Sequence, residues 1–187
     1  MSTFRFAIMG AGNIAHPFCD AVTLVEDCEV SAIASKDLGR AQKFAEECSV
    51  AHAYDNYEQM LIEEKPDCVY IAVTPNDHFR LTMLCLEHRV PVLCEKAMFT
   101  NSAEAKAVFE KAEKDQTFVM EAMWSRFLPA VNQAKKWAAE GKIGRLEALQ
   151  GRIGFLAPEG ADNRYHSPLL CGGAATDITV YAYEIAT

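Results

Sequence analysis

The sequence predicts an α/β fold, a doubly wound parallel sheet over residues 1–122 followed by the beginning of a second, α+β unit over residues 123–187. Short apolar runs alternate strictly with amphipathic helical stretches as far as Met120, and the connections between them are short. One apolar run also lacks the polar alternation of a half-exposed strand. Alternation of this kind calls for parallel strands with helices on both faces, and a continuous apolar run suits a strand covered on both sides.

The opening run, residues 4–9, is a strand leading into Gly10-Ala11-Gly12-Asn13-Ile14-Ala15. A helix follows, with apolar residues at helical spacing (Ile14, Phe18, Ala21, Val22, Val25). Residues 28–35 form a second strand through Val30, Ala32, Ile33 and Ala34, and residues 38–47 a helix rich in Ala, Lys and Glu. A short helix over 57–64 stops before Pro66. The continuous apolar run 68–73 is the next strand, and 76–87 the next helix, with Phe79, Met83, Leu84 and Leu86 toward its inner side. A strand at 90–94, a helix at 102–115 capped by Ser102, and a strand at 117–120 complete the first unit.

The pattern changes after Met120. A helix over 129–140 ends at Gly141, a longer strand is expected over 145–155, and a turn-rich stretch runs through Pro158, Gly160, Asp162 and Asn163. Cys171-Gly172-Gly173-Ala174-Ala175-Thr176-Asp177 then leads into a last helix. One strand and two helices cannot bury a core of their own. The second unit is therefore expected to be truncated.

Composition narrows the partners. Half of the 187 residues are hydrophobic and 24% are charged, the profile of a globular protein rather than a disordered one. With 18 basic and 26 acidic residues the net charge is −8, which argues against a general nucleic-acid or anionic-membrane surface. The seven cysteines form no C-x-x-C pair and no Cys/His cluster, so no metal site is expected. Cys68 and Cys94 sit in apolar runs and suit small buried hydrophobes. No signal peptide or membrane-length apolar run is visible, and the expected setting is reducing and cytosolic.

The run from Gly10 to Ala15 has the G-x-G-x-x-A spacing of a dinucleotide-binding turn in a Rossmann sheet. Gly10 permits the tight turn, Gly12 lets backbone approach a pyrophosphate, and small Ala15 lets the helix pack closely. With Asn13 and Ile14 they open a helix whose unpaired N–H groups favour phosphate. The second strand ends in Ser35 and Lys36 rather than in the acid that would accept from a ribose 2′-hydroxyl, and Arg40 lies within reach. Such donors favour NADP over NAD, although Lys36 and Arg40 would equally suit solvated surface charges, and Asp37 at a shifted strand end would suit the ribose. Thr74, Pro75 and Asn76 follow the strand at 68–73 and would line the coenzyme crevice. Asn76 suits a helix N-cap equally well.

Several segments together resemble the glucose-fructose oxidoreductase / inositol dehydrogenase / MocA family. They are the glycine turn, Tyr70-Ile71-Ala72-Val73-Thr74-Pro75-Asn76, Cys94-Glu95-Lys96-Ala97 and Gly172-Gly173-Ala174-Ala175-Thr176-Asp177-Ile178. The run Met120-Glu121-Ala122-Met123-Trp124-Ser125-Arg126-Phe127-Leu128-Pro129 looks most similar to the dimeric dihydrodiol dehydrogenase / NADP-xylose dehydrogenase branch. The resemblance implies an NAD(P)-dependent oxidoreductase moving hydride between the nicotinamide and a CH–OH carbon of a sugar, polyol or dihydrodiol. It places the family lysine at Lys96 with Glu95 beside the coenzyme, and the branch tyrosine at Tyr181, four residues after Asp177. Tyr181 is then the acid/base, Lys96 tunes it and holds the substrate oxygen, and Asp177 orients the substrate or Lys96. A free phenol ionises near ~10 and is a poor base at neutral pH, and a nearby ammonium brings it closer to working range.

His78 suits a place near the nicotinamide or a plain core or surface histidine. Trp124 and Arg126 suit a substrate wall, or packing plus a surface ion pair, and His166 lies in the loop before the glycine pair. Ala97 replaces the usual proline after the lysine, which removes a rigid backbone element. Full-length members of the family continue into a sheet that forms homo-oligomers, an assembly doubtful for this chain. The competing reading is an NAD(P)-binding module without turnover. The short-chain dehydrogenase class is excluded, because Tyr54, Tyr57, Tyr70, Tyr165, Tyr181 and Tyr183 all lack a lysine four residues on.

Overall fold

In the computed structural model, which describes residues 3–160 and 163–187, the opening apolar run becomes β1 (Phe4–Met9), and Ala7, Ile8 and Met9 are fully buried. Asp162 lies outside the described residues. β1 pairs in parallel with β2 (Cys28–Ala34) on one side and β4 (Cys68–Ile71) on the other. A three-residue strand, β3 (His52–Tyr54), extends the sheet past β2. β5 (Val92–Glu95) and β6 (Val119–Ala122) extend it past β4, giving the order β3-β2-β1-β4-β5-β6. Successive strands thus step away from β1 in one direction and then in the other. The crevice at such a reversal, beyond the carboxyl ends of β1 and β4, is where doubly wound sheets receive ligands.

The connections are α1 (Ala15–Val22), α2 (Leu38–Cys48), α3 (Tyr57–Glu64), α4 (Pro75–Glu87) and α5 (Ser102–Asp115). One core cluster joins Met9, Ala34 and Ile71 from the strands to Met60, Leu61, Leu81 and Cys85 from the helices. Cys68 and Cys94 are buried, as their apolar surroundings predict, together with Cys19 and Cys85. Burial pushes the Cys68 thiol up to about 11. Among the described residues no helix is long and apolar enough to cross a membrane.

Several boundaries differ from expectation for local reasons. The first helix stops at Val22, leaving Leu24 (86%) and Val25 (54%) exposed, so the apolar spacing overran the helix. The fourth strand ends at Ile71 rather than Val73 because the chain turns there to start α4, with Thr74 at the N-cap and Pro75 in the first turn. Asn76 is therefore inside the helix and does not cap it. The buried side of α4 is His78, Leu81, Thr82, Cys85 and Leu86, a stripe rotated from the expected one. Val90 N donates to Cys85 O at 2.9 Å and Thr117 N to Ala112 O at 2.9 Å, so both residues close helices instead of opening strands. Asn101, not Ser102, caps α5: its Oδ1 accepts from Glu104 N at 3.0 Å, while Glu104 Oε2 accepts from Thr100 N.

The chain divides into two compact units, Met1–Glu121 and Ala122–Thr187. The second contains a 3-10 turn (Trp124–Phe127), α6 (Pro129–Ala139), a 3-10 turn (Pro168–Leu170), α7 (Ala174–Asp177) and α8 (Thr179–Ala186). The strand expected over 145–155 is not formed. A strand needs a neighbour for its N–H and C=O groups, and none of the described residues pairs with this segment. Leu146, Leu149, Ile153 and Phe155 are left exposed.

Candidate active site

The glycine turn sits at the carboxyl end of β1. Gly10 has φ +110°, and a Cβ there would lie 2.8 Å from Val73 Cγ1 and 2.9 Å from both Ala72 C and Ala72 O. Only glycine fits, because the turn presses against the end of β4. Gly12 is different. A Cβ would meet only Ala72 O, at 3.4 Å, so nothing in the protein itself forbids alanine. Ala15 is fully buried and donates its N–H to Gly12 O at 3.0 Å. Ile14 stands at the N-cap of α1 and brings no side-chain hydrogen bond, and Asn13 beside it is exposed. First-turn N–H groups at such an end suit an anion. Together these residues fit a dinucleotide diphosphate.

At the end of β2, Ser35 is buried and its Oγ accepts from Asp37 N at 3.4 Å. Asp37 caps α2, its Oδ1 accepting from Arg40 N at 2.9 Å. Arg40 donates through Nη2 to Ala11 O at 3.2 Å, tying α2 to the glycine turn. Lys36 pairs with Asp77 of α4, Nζ to Oδ2, at 2.5 Å. Both cations are thus built into the rim of the crevice.

The segment around Lys96 is held from several directions. His78 is fully buried, with Nδ1 at 3.0 Å from Ala97 O and Nε2 at 3.1 Å from Val73 O. It is a core histidine that joins the start of α4 to the turn after β5, and burial pushes its pKa down. Glu121 Oε1 accepts from Met98 N at 2.8 Å, and Glu95 Oε2 accepts from Lys96 N at 3.2 Å. These bonds secure the backbone where the family's proline is replaced by Ala97. Tyr70, which the sequence assigns no role at the site, donates its hydroxyl to Glu95 Oε1 at 2.6 Å and stacks its ring on Phe18 at 4.0 Å. Burial pushes the Glu95 carboxyl up, against the opposing pull of Tyr70 and Lys96.

In the second unit, Trp124 Nε1 donates to Tyr181 Oη at 3.0 Å, and the two rings meet edge-on at 5.7 Å. Arg126 pairs with Glu184 at 3.3 Å, and Ser125 Oγ donates to the same carboxylate at 3.0 Å. Lys135 Nζ lies 3.6 Å from it. Asp177 is 3.9 Å from Arg164. His166 is exposed, and its N–H donates to Asn163 O at 2.9 Å. Gly172 abuts the backbone of Arg164 and Tyr165, where a Cβ would collide with Arg164 O, so the glycine pair and the His166 loop are packed together. Lys96 belongs to the first unit, and Tyr181 and Asp177 to the second.

Glu184 went unnoticed in the sequence because one acid on a helix carries no signal. Burial draws its pKa up, but the Ser125 hydroxyl and the Arg126 and Lys135 cations outweigh this and hold it below the usual carboxylate range. A carboxyl depressed in the folded state stabilises fully above its unfolded pKa, and that gain is lost as pH falls through the folded value. Glu184→Gln should therefore cost about 1–3 kcal/mol in urea unfolding at neutral pH. The gap to the parent protein should close as the pH drops below about 4.

Against known proteins, the GFO/IDH/MocA family, an oxidoreductase family with an NAD-binding Rossmann fold, matches residues 4–123. The chain belongs to this family. Mouse trans-1,2-dihydrobenzene-1,2-diol dehydrogenase is 33% identical over 185 residues, covering 96% of the chain and 54% of the mouse protein. The pig enzyme of the same name is 34% identical over 185 residues, with the same coverage. The branch resemblance seen in the sequence thus holds, and the chain spans about half the length of these curated relatives. An NAD-binding protein from Listeria innocua shares the fold over 99% of the chain and 54% of its own, with TM-score 0.88 at 22% identity. A 3-ketoreductase from Actinomadura kijaniata, solved with NADP, matches 77% of the chain and 44% of its own, with TM-score 0.72 at 26% identity. Solved structures that share this fold thus include one named for NAD binding and one bound to NADP.

Proposed function

We propose that this protein is an NADP-dependent oxidoreductase acting on a CH–OH carbon of a sugar, polyol or dihydrodiol. The observation that carries the reading is the glycine turn pressed on the end of β4, with an uncapped α1 behind it and Lys36 and Arg40 at its rim. Bound nicotinamide would supply the hydride donor or acceptor. Gly10, Gly12, Asn13 and Ile14 would hold the diphosphate, Ser35, Lys36 and Arg40 the 2′-phosphate, and Thr74, Pro75, Asn76 and Glu95 the rest of the coenzyme. His78 would act by fixing the backbone of the crevice. Tyr181 would pass the carbinol proton at Oη, Lys96 would hold the substrate oxygen, and Asp177 would orient the substrate. The indole N–H of Trp124 donates to Tyr181 Oη and so fixes the direction of the phenol, which supports that role. Trp124, Arg126 and His166 would bound the substrate. Seven unpaired thiols suit a reducing, cytoplasmic setting.

Calorimetric titration with NADPH and NADH, followed by turnover assays of D-xylose and trans-1,2-dihydrobenzene-1,2-diol with NADP⁺ as hydride acceptor, tests the reading. Tighter binding of NADPH and oxidation of either substrate are expected. No heat with either coenzyme from folded protein would end it. A second reading, coenzyme binding without turnover, is favoured by the exposed apolar residues of the 145–155 segment, which pairs with no strand among the described residues. Binding of NADPH with no oxidation across a panel of aldoses and diols would select it.

A further inference from the structure

We propose that Asp77 is a coenzyme-specificity residue, one that restrains recognition of the 2′-phosphate by occupying Lys36. This inference rests on the coenzyme reading above. The sheet order sets β2 and β4 on opposite sides of β1. Lys36 follows β2 and Asp77 lies in the first turn of the helix after β4, so their 2.5 Å ion pair spans the sheet edge at the end of β1, where the glycine turn lies. The adenosine ribose would lie beside that pair.

The surrounding charges leave Asp77 as the acid that matters there. Asp37, nearer in sequence, has its carboxylate on Arg40 N as the cap of α2. Arg40 reaches toward Ala11 O. Asp77 is held on its other side by Arg80, Nε to Oδ1, at 3.3 Å, and Arg80 stands over the Tyr57 ring at 6.0 Å. The Asp77 side chain is only 17% exposed against 67% for Lys36, so the carboxylate is the fixed member and the lysine the movable one. Burial opposes the charge on Asp77, but Lys36 and Arg80 hold its pKa below the ordinary range, so it is ionised at neutral pH.

A 2′-phosphate carries up to two negative charges and gains most from an unshared ammonium. Here it must take Lys36 from Asp77 or share the ammonium with that carboxylate, which weakens the attraction. A 2′-hydroxyl is neutral and does not compete for the ammonium, so it meets no such penalty. Asp77 therefore weakens NADPH and leaves NADH nearly untouched.

The test is fluorescence titration of the whole chain with NADPH and NADH at fixed ionic strength, in the parent, Asp77→Asn, Lys36→Met and the double variant. Asp77→Asn should tighten NADPH about three- to tenfold, with NADH within about twofold. In the Lys36→Met background the NADPH gain should vanish, since the effect runs through the lysine. Equal shifts for both coenzymes, no shift at all, or a gain that survives Lys36→Met would overturn the proposal. Asp77→Ser, which keeps a helix-compatible polar group in the first turn, replaces Asp77→Asn should that variant fold poorly. Parent protein that binds neither coenzyme removes the coenzyme reading itself, whereas parent binding with unresponsive variants removes Asp77 alone.

Discussion

Gly10→Ala should lose NADPH binding and fold stability together, by about 2–4 kcal/mol in urea unfolding. The added methyl enters a backbone at φ +110° and comes within 2.9 Å of Ala72 carbonyl atoms, which cannot move aside as a flexible side chain would. Gly12→Ala supplies the contrast. Its methyl would touch only Ala72 O at 3.4 Å, so the fold should stay within about 1 kcal/mol of the parent. The same methyl would stand in the path of a diphosphate, and NADPH affinity should fall more than about tenfold. A stable Gly12→Ala protein with parental NADPH affinity would remove the phosphate role from the turn, whatever the result at Gly10.

Tyr181→Phe should reduce kcat/KM for NADP-linked oxidation by about 10²–10⁴-fold, the range for losing a positioned acid/base. NADPH affinity should not change, because the residue sits in the second unit and the residues proposed to hold the coenzyme in the first. The loss should fall mainly on kcat. Phenylalanine keeps the ring that meets Trp124 at 5.7 Å, so local packing is preserved while the indole N–H loses its acceptor. Parental rates in this variant would assign the proton transfer elsewhere.

The parallel sheet was legible because its signals are local and repeated. Apolar runs such as 68–73 and amphipathic helices such as 102–115 each carry several agreeing residues, and the glycine turn adds a motif fixed by backbone sterics. What escaped depends on contacts between distant positions. β3 has three residues, too few to show a period. Asn101 and Ser102 are both good caps, and only the bond to Glu104 N decides between them. The pairing of Lys36 with Asp77 joins residues 41 positions apart, and that of Ser125 with Glu184 joins residues 59 apart. No spacing rule reaches so far. The 145–155 stretch was misjudged for a related reason, since strand formation depends on a neighbour that the segment's own residues do not reveal.

The stacked pair of Phe18 and Tyr70, closed by the 2.6 Å bond to Glu95, makes the first helix and the corner before Lys96 one rigid block. Such a brace means the ammonium's anchor is set in place when the chain folds, not when a ligand arrives. The entropy lost in aligning that corner is then a debt of folding, leaving more of any later binding energy for the reacting atoms.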